Sequence, residues 1–221
     1  MLKFFIDFDG TISTADVVDA ILERFASPDW RKIEEDWQKG KIGSRECLEK
    51  QINLLRITDA ELRYIIEDVE IDPHFVSFLQ KAAEFSVPVT IVSDGFDLVI
   101  RGVMERYFKN SIELLKNTSI FSNKILWAKD RLHIQFPEGP VCEHACANCK
   151  ARVIEEKSSP EDTVVFVGDG LSDRFAAHVA SLTFAKGKLL EYCRKNKINH
   201  QKYGSFKEVK EWLKKGIHAV V

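Results

Sequence analysis

Long apolar runs are absent from this 221-residue sequence, and so is any strong excess of one charge. No stretch approaches the roughly 20 apolar residues that a membrane-spanning helix needs, and the apolar run before Asp7 is too short for a signal peptide. The formal net charge of −2 offers no positive surface for nucleic acid. These absences predict a cytoplasmic protein that binds neither membranes nor nucleic acids.

Cysteine is scarce, with five residues in the chain. Three of them and one histidine fall within eight residues, at Cys142, His144, Cys146 and Cys149. This spacing is not that of a secreted disulfide framework. The segment is compatible with a zinc site, with a disulfide that joins Cys149 to Cys142 or Cys146, or with plain packing.

Short β-rich apolar runs alternate with helical patterns, which is typical of a parallel sheet with helices on both faces. The predicted strands are residues 2–6, 88–92, 112–115, 163–167 and 182–185. The predicted helices are residues 73–85, 96–107, 148–157, 172–180, 186–195 and 205–215. Residues 117–140 alternate apolar and polar positions around Lys129 and predict a β-hairpin or a short β-meander. The sequence therefore predicts a doubly wound (Rossmann-like) α/β fold.

The segment between the first and second predicted strands contains no convincing strand of its own. Four amphipathic helical stretches fill it, at residues 15–26, 28–39, 44–55 and 58–69. A helical insertion at this point lies near the carboxyl ends of the strands, where ligands bind. We therefore predict an α/β core of residues 1–13 and 73–221 and a small helical cap of residues 14–72. Trp30 and Trp37, seven residues apart, are predicted to pack in the core of this cap.

Asp7 and Asp9 follow the first predicted strand directly, in the segment Asp-Phe-Asp-Gly-Thr. Two carboxylates at positions i and i+2 of an extended chain point the same way, here toward the crevice where a doubly wound sheet holds its ligand. One carboxylate can attack phosphorus while the other shuttles a proton. The alternative is an Asp-rich turn that only closes the strand.

Asp169 and Asp173 stand at the end of the fourth predicted strand, in the segment Gly-Asp-Gly-Leu-Ser-Asp. Carboxylates at this edge of the sheet can hold Mg²⁺, which prefers a few carboxylate oxygens together with water and phosphate oxygens. The metal would neutralise phosphate charge that otherwise repels an attacking carboxylate. A turn followed by an aspartate near a helix N-terminus is the alternative.

Ser93, Asp94 and Lys150 are candidates for contact with phosphate. Ser93 and Asp94 stand between a predicted strand and a helix, where a hydroxyl and free backbone N–H groups form a phosphate site. Either residue could also serve only as a helix cap. Lys150, at the start of a predicted helix, carries a charge that can pair with phosphate and with a nucleophilic carboxylate. Without the other motifs it would be interpreted as a surface lysine.

In combination and in this order, the four motifs resemble those of the haloacid dehalogenase superfamily of phosphatases. The matching positions are Asp-Phe-Asp-Gly-Thr, the strand end at Ser93, Lys150 and Gly-Asp-Gly-Leu-Ser-Asp. The helical insertion resembles the small cap of the phosphoserine-phosphatase branch. Within that branch, residues 25–30 and 136–150 resemble the phosphatases of methionine salvage.

The resemblance implies a phosphatase that acts on a small phosphorylated metabolite with Mg²⁺ as cofactor. A homodimer is a separate expectation, which no motif of the sequence indicates. Asp7 would be the nucleophile and Asp9 the general acid and base. Ser93 and Lys150 would bind the phosphoryl oxygens. Asp94 departs from the family pattern and stays a candidate beside them. Mg²⁺ would be held by Asp7, the backbone carbonyl of Asp9 and Asp169, with Asp173 acting through water or orienting the other ligands. Cleavage of a phosphonate or haloacid, and a catalytically idle binding module on the same fold, are the competing interpretations.

Overall fold

The computed structural model describes residues 1–128, 131–139 and 141–218, and seven strands within them form one sheet. The strands are β1 Leu2–Ile6, β2 Val89–Phe96, β3 Thr118–Ala128, β4 Arg131–Gln135, β5 Thr163–Gly168, β6 Leu182–Ala185 and β7 His200–Lys202. Their order across the sheet is β4-β3-β2-β1-β5-β6-β7. Neighbouring strands are parallel except β3 and β4, which form an antiparallel hairpin. The predicted Rossmann-like α/β fold is confirmed.

Helices connect the strands and cover the sheet. They are α1 Val17–Phe25, α2 Trp30–Gln38, α3 Ser44–Leu54, α4 Asp59–Asp68, α5 Phe75–Glu84, α6 Asp97–Tyr107, α7 Glu113–Lys116, α8 Lys150–Lys157, α9 Arg174–Val179, α10 Gly187–Asn196 and α11 Phe206–His218, with a 3₁₀ turn at Leu171–Asp173. No described helix combines the length and the apolar character that crossing a bilayer requires. The cytoplasmic location and the homodimer stay predictions.

Side chains of β1 alternate between two hydrophobic clusters on opposite faces of the sheet. Phe4 and Ile6 belong to the larger cluster, which includes residues of α5 and α11. Phe5 belongs to the smaller cluster, which includes residues of α8, α9 and α10. A parallel strand buried on both faces has an almost continuous apolar sequence. This is why β1 and β5 could be predicted from the sequence.

The chain reverses its direction of travel across the sheet between β1 and β5. Strands β2 and β3 follow on one side of β1, whereas β5, β6 and β7 follow on the other. Ligands of doubly wound sheets bind at such a switch point, outside the carboxyl ends of the strands. Residues that directly follow β1 and β5 therefore lie at the expected site.

Helices α1 to α4, here called the helical insertion, lie between β1 and β2. Its two ends meet beside the sheet, where Ser13 pairs with Ile71 in an antiparallel bridge. The N–H of Thr14 donates to the carbonyl oxygen of Glu70 at 2.9 Å. The chain therefore enters and leaves the helical insertion at the same place, beside the sheet. The division into a core and a cap at residues 14 and 72 stays a prediction.

The predicted strand at residues 112–115 is wrong. Residues 113–116 form the short helix α7, and the exposed side chain of Ile112 shows that the apolar run is not buried in the sheet. The third parallel strand is β3, the first strand of the predicted hairpin, and it pairs with β4. The expected turn at Lys129 and Asp130 lies outside the described residues, as does Pro140. Strand β7 was not predicted, because its three residues are polar.

Candidate active site

The carboxyl ends of three neighbouring strands bring the predicted site residues together. Asp7 follows β1, Ser93 lies in the last half of β2, and Asp169 follows β5. A cleft of about 340 Å³ opens at this edge between the sheet and the helical insertion. The predicted residues that line it are Asp7, Asp9, Asp94, Lys150 and Asp169. Ser93 and Asp173 are fully buried beside them.

The Lys150 ammonium lies between two buried carboxylates. Its Nζ atom is 2.6 Å from Asp7 Oδ1 and 2.6 Å from Asp173 Oδ1. Burial lowers the pKa of Lys150, but Asp173 and Asp7 outweigh it and raise the pKa well above its ordinary value. Burial and the charge of Asp173 raise the pKa of Asp7, against the opposing effect of Lys150. The cleft thus holds one ammonium among several carboxylates that cannot all ionise without further positive charge.

Asp173 uses both carboxylate oxygens inside the protein. While Oδ1 contacts Lys150, Oδ2 accepts the N–H groups of Asp169 at 2.9 Å and Gly170 at 3.0 Å. A Cβ at position 168 would collide with Asp173 Oδ2, which these hydrogen bonds hold in place, so glycine is required there. Asp173 therefore joins the loop after β5 to the ammonium of Lys150.

Asp9 connects β2 to the helical insertion. Its Oδ2 accepts a hydrogen bond from Ser93 Oγ at 3.1 Å, and its Oδ1 accepts the N–H of Val17, the first residue of α1, at 3.1 Å. Burial, followed by the charge of Asp16, raises the pKa of Asp9 to about 7. A Cβ at Gly95 would lie 2.5 Å from Asp9 Oδ2. This carboxyl group is held in place and can exchange a proton near neutral pH.

Asp169 is oriented by the loop that follows β1. Its Oδ1 accepts a hydrogen bond from Thr11 Oγ1 at 2.9 Å. Gly10 has a φ of 69°, and a Cβ there would lie 2.6 Å from Asp169 Oδ2. Glycine is therefore required at position 10 by both backbone conformation and space. Burial and the charge of Asp173 raise the pKa of Asp169 to about 6.

Three of the predicted metal ligands lie close together. Asp7, Asp169 and Asp173 each have a carboxylate oxygen within 4.8 Å of the others. Mg²⁺ prefers such a small set of carboxylates and completes its shell with water and phosphate oxygens. Asp9 adds a further carboxylate to the same cleft, so the donors fit a divalent cation in chemistry and in charge. The ligand set itself stays a prediction.

Asp94 contacts the segment before α8. Its Oδ1 accepts the N–H of Asn148 at 3.1 Å, and burial raises its pKa. The side-chain amide of Asn148 donates to the carbonyl oxygens of Ser93 at 3.0 Å and Phe121 at 2.8 Å. These contacts fix the first turn of α8 and with it Lys150. The predicted role of Asp94 in phosphate binding stays a prediction.

The helical insertion contributes residues to the cleft that were not predicted from the sequence as site residues. They include Asp16, Asp19, Glu34, Trp37 and Gln51. Asp16 caps α1 by accepting the N–H of Asp19 at 2.9 Å, and burial with the charge of Asp16 raises the pKa of Asp19 to about 7. Trp30 is buried as predicted. The prediction is wrong for Trp37, which lines the cleft. Nothing in the sequence distinguishes a polar helix face that borders a cleft from one that faces bulk solvent.

Known proteins resemble this chain over almost its whole length. The profile of the haloacid dehalogenase-like hydrolase family matches residues 4–178. The 2-hydroxy-3-keto-5-methylthiopentenyl-1-phosphate phosphatase of Bacillus pumilus (strain SAFR-032) is 29% identical, over 95% of this chain and 94% of that protein. Its counterpart in Bacillus mycoides (strain KBAB4) is 26% identical, over 96% of each. The structure of a phospho-aspartyl intermediate analogue of phosphoserine phosphatase has a TM-score of 0.71 at 22% identity, and covers 96% of this chain and 97% of that chain.

Proposed function

Because the chain belongs to the haloacid dehalogenase-like hydrolases, we propose that it is a Mg²⁺-dependent phosphatase that forms an aspartyl-phosphate on Asp7. The observation that carries the proposal is the buried ion pair between Lys150 and Asp7, 2.6 Å apart at the base of the cleft. A phosphoryl group that enters there meets a carboxylate nucleophile and an ammonium together.

In the first step, a carboxylate oxygen of Asp7 bonds to phosphorus while the bond from phosphorus to the leaving oxygen breaks. The proton of Asp9 passes to that oxygen, so the product leaves as an alcohol. A pKa of about 7 for Asp9 suits a group that must release and regain a proton near neutral pH. The need for this acid favours a phosphate monoester over a phosphonate or haloacid.

In the second step, Asp9 acts as a base. It takes a proton from water as the water oxygen attacks phosphorus, and the bond between Asp7 and phosphorus breaks to release inorganic phosphate. Ser93 holds Asp9 in position through its 3.1 Å hydrogen bond. Both steps then use the same two carboxylates, and Asp9 ends each cycle in its starting protonation state.

We further propose that Asp7, the carbonyl of Asp9, and Asp169 hold Mg²⁺. When bound, the ion would neutralise charge on the phosphoryl oxygens that otherwise repel the Asp7 carboxylate. Thr11 orients Asp169 for this task through its hydroxyl. Both carboxylate oxygens of Asp173 already accept hydrogen bonds within the protein. We therefore propose that Asp173 positions Lys150 and the 169–170 loop, or contacts the ion through water.

The phosphoryl oxygens would be bound by Lys150, and by the hydroxyl of Ser93 in the state in which Asp9 is protonated and no longer accepts from that hydroxyl. Asp94 lines the cleft, but a carboxylate cannot donate a hydrogen bond to phosphate unless it is protonated. We therefore propose that the Asp94 side chain acts mainly through Asn148, whose N–H it accepts at 3.1 Å.

Two substrate classes follow from different observations. The curated relatives at 26–29% identity carry the name of the methylthiopentenyl-phosphate phosphatase, and this compound is the first candidate. The second is a phosphate monoester whose alcohol part carries an amine, as in phosphoserine. It is favoured by Asp16, Asp19 and Glu34, which line the part of the cleft formed by the helical insertion.

The proposal is tested by phosphate release from a panel that contains both candidates and neutral sugar phosphates. Each ester is assayed with Mg²⁺ and with EDTA, for the unmodified protein and for Asp7→Asn. We expect turnover that requires Mg²⁺ and is lost in Asp7→Asn. Absence of turnover with every ester, with no difference between the two proteins, would favour the idle binding module.

The variants Asp19→Asn and Glu34→Gln separate the substrate classes. If the alcohol part carries an amine, each variant should lower kcat/KM for that ester about tenfold and leave a neutral ester unaffected, since one charge contact in a cleft contributes about 1.4 kcal/mol. Equal kcat/KM for the amine ester in all three proteins would exclude the second class.

A further inference from the structure

A second group of potential metal ligands lies outside the cleft, in the loop that precedes α8. Cys142, Cys146 and Cys149 each place a sulfur within 4.8 Å of the other two. All three are free thiols. In a tetrahedral zinc site with Zn–S bonds of about 2.3 Å, the sulfurs lie roughly 3.8 Å apart. The three sulfurs are therefore close to the separation that one zinc ion requires.

The loop is already folded around this arrangement. The N–H of Cys146 points at Cys142 Sγ, 3.3 Å away, and the N–H of Ala145 donates to the carbonyl oxygen of Cys142 at 2.9 Å. Hydrogen bonds from backbone N–H groups to a ligand atom orient it and are a common outer shell of metal sites. The three sulfurs converge within the eight residues 142–149, without a ligand from a distant segment.

The alternatives explain less of this geometry. A disulfide would join two of the sulfurs and would not explain why the third lies close to them. Plain packing accounts poorly for Cys142 and Cys146, which are partly exposed. Cys142 and Cys149 also border a surface cavity of about 540 Å³, through which an ion could enter.

His144 does not join the sulfurs as a fourth ligand. Its ring stacks on Phe175 with centroids 3.5 Å apart and planes within 4°, and its Nε2 lies 3.2 Å from Glu143 Oε1. Among the described residues, no fourth His, Cys, Asp or Glu joins the group of three sulfurs.

We propose that Cys142, Cys146 and Cys149 bind one Zn²⁺ as thiolates, with water in the fourth position. The three thiol protons pass to solvent as the three Zn–S bonds form. The ion is distinct from the Mg²⁺ proposed for the cleft, because its donors are soft sulfur atoms rather than carboxylate oxygens.

The place of this site in the fold indicates a structural role. Cys149 directly precedes Lys150, and Asn148 between the ligands contacts Ser93 and Asp94. On its other side the same loop contacts the helical insertion, where the N–H of Arg45 donates to the carbonyl oxygen of Ala145 at 3.2 Å. Zinc would therefore fix the segment that connects the phosphate-binding lysine to the insertion.

The site is tested by metal content and by cobalt substitution in the full chain. Protein purified without chelator should contain about one zinc per chain. After zinc is exchanged for Co²⁺, a strong near-ultraviolet charge-transfer band should appear, and this band requires cobalt–sulfur bonds. A cobalt ion among the carboxylates of the cleft cannot produce it.

Serine substitutions identify the ligands. Cys142→Ser and Cys146→Ser should each lose the band and most of the zinc, whereas the matched control Cys193→Ala, which removes an isolated thiol in α10, should retain both. Zinc added to the metal-free unmodified protein should raise its Tm, and it should not raise that of Cys146→Ser. These measurements do not depend on any phosphatase activity.

Three results would overturn the proposal. The first is zinc well below one per chain in the unmodified protein together with no cobalt–sulfur band. The second is a band of unchanged intensity in Cys146→Ser. The third is mass spectrometry that finds two of the three cysteines joined in a disulfide. If a serine variant does not fold, the proposal can still be tested on the unmodified protein, by measuring its Kd for zinc in competition with a chromophoric chelator. A Kd weaker than micromolar would contradict a three-thiolate site.

Discussion

Asp173 Oδ1 lies 2.6 Å from the ammonium nitrogen of Lys150, and both side chains are almost completely buried. The same carboxylate also accepts two backbone N–H groups of the loop after β5. The position of the lysine is therefore coupled to that of Asp169, which immediately follows this strand. A change at Asp173 should therefore disturb both Lys150 and Asp169.

Replacing Asp173 by asparagine should impair catalysis although the side chain keeps its size. An amide has one oxygen and cannot accept from Lys150 and from the 169–170 backbone together, while its NH₂ group opposes one of those donors. We expect kcat/KM to fall at least 100-fold, the scale of losing one positioned charge in an active site. Steady-state phosphate release measures it. Activity within threefold of the unmodified protein would mean that Asp173 does not position Lys150.

Gly95→Ala should displace the proposed acid and base. The new Cβ would lie 2.5 Å from Asp9 Oδ2 and 3.0 Å from Ser93 Oγ. Asp9 must therefore shift, and we expect its hydrogen bond with Ser93 to be weakened. We expect kcat to fall about 100-fold, as for the loss of a general acid, with the fold retained by circular dichroism. Gly216→Ala is the matched control, because the space around that position of α11 is open. It should leave kcat unchanged and add about 0.5–1 kcal/mol of stability.

Asn148→Ala should weaken both the fold and the site. The change leaves the buried carbonyl oxygen of Ser93 and the partly buried one of Phe121 without the amide that they share. An unpaired buried group costs about 1–3 kcal/mol, which denaturant unfolding would measure. Asn196→Ala removes one amide contact on the surface of α10 and should cost less than 0.5 kcal/mol. Equal losses in the two variants would contradict the assigned role of Asn148.

The ion pair between Lys3 and Asp162 should make stability depend on pH. Lys3 Nζ lies 2.8 Å from Asp162 Oδ2, and Lys3 with the N–H of Ser159 lowers the pKa of Asp162. Because the pKa of this carboxyl is lower in the folded protein than in the unfolded chain, the carboxylate stabilises the fold at pH values above the unfolded-state pKa of about 3.9. This stabilisation is lost as the pH falls and the carboxylate is protonated. The Tm difference between the unmodified protein and Asp162→Asn should therefore be largest near pH 7 and shrink below about pH 4. A difference independent of pH would exclude the pair as its cause.

Site residues could be predicted from the sequence where a chemically reactive side chain directly follows a buried strand. Asp7 and Asp169 could be placed at strand ends because β1 and β5 are buried on both faces and have continuous apolar sequences. Lys150 could be included only through the resemblance of the combined motifs, since a lysine at a helix start is ordinarily exposed. Its burial between two carboxylates is a property of the tertiary structure.

Other features could not be obtained from the sequence. The apolar pair in α7 gives the same short pattern as a strand, so periodicity alone could not separate the two. Asp16, Asp19 and Glu34 face the cleft because of how the insertion docks on the sheet, which no local pattern encodes. The convergence of the three cysteine sulfurs likewise depends on the turn at Ala145, whose φ of 50° is unusual for alanine.

The central claim, a covalent intermediate on Asp7, is tested most directly by trapping that intermediate. Asp9→Asn is mixed with p-nitrophenyl phosphate, whose leaving group needs no proton, so that the first step proceeds while hydrolysis is slowed. The protein is quenched, reduced with borohydride, which converts an acyl phosphate to an alcohol, and analysed by peptide mass spectrometry. We predict homoserine in place of Asp7 in an amount that matches the burst of nitrophenol. Release of nitrophenol with Asp7 unmodified would contradict the account.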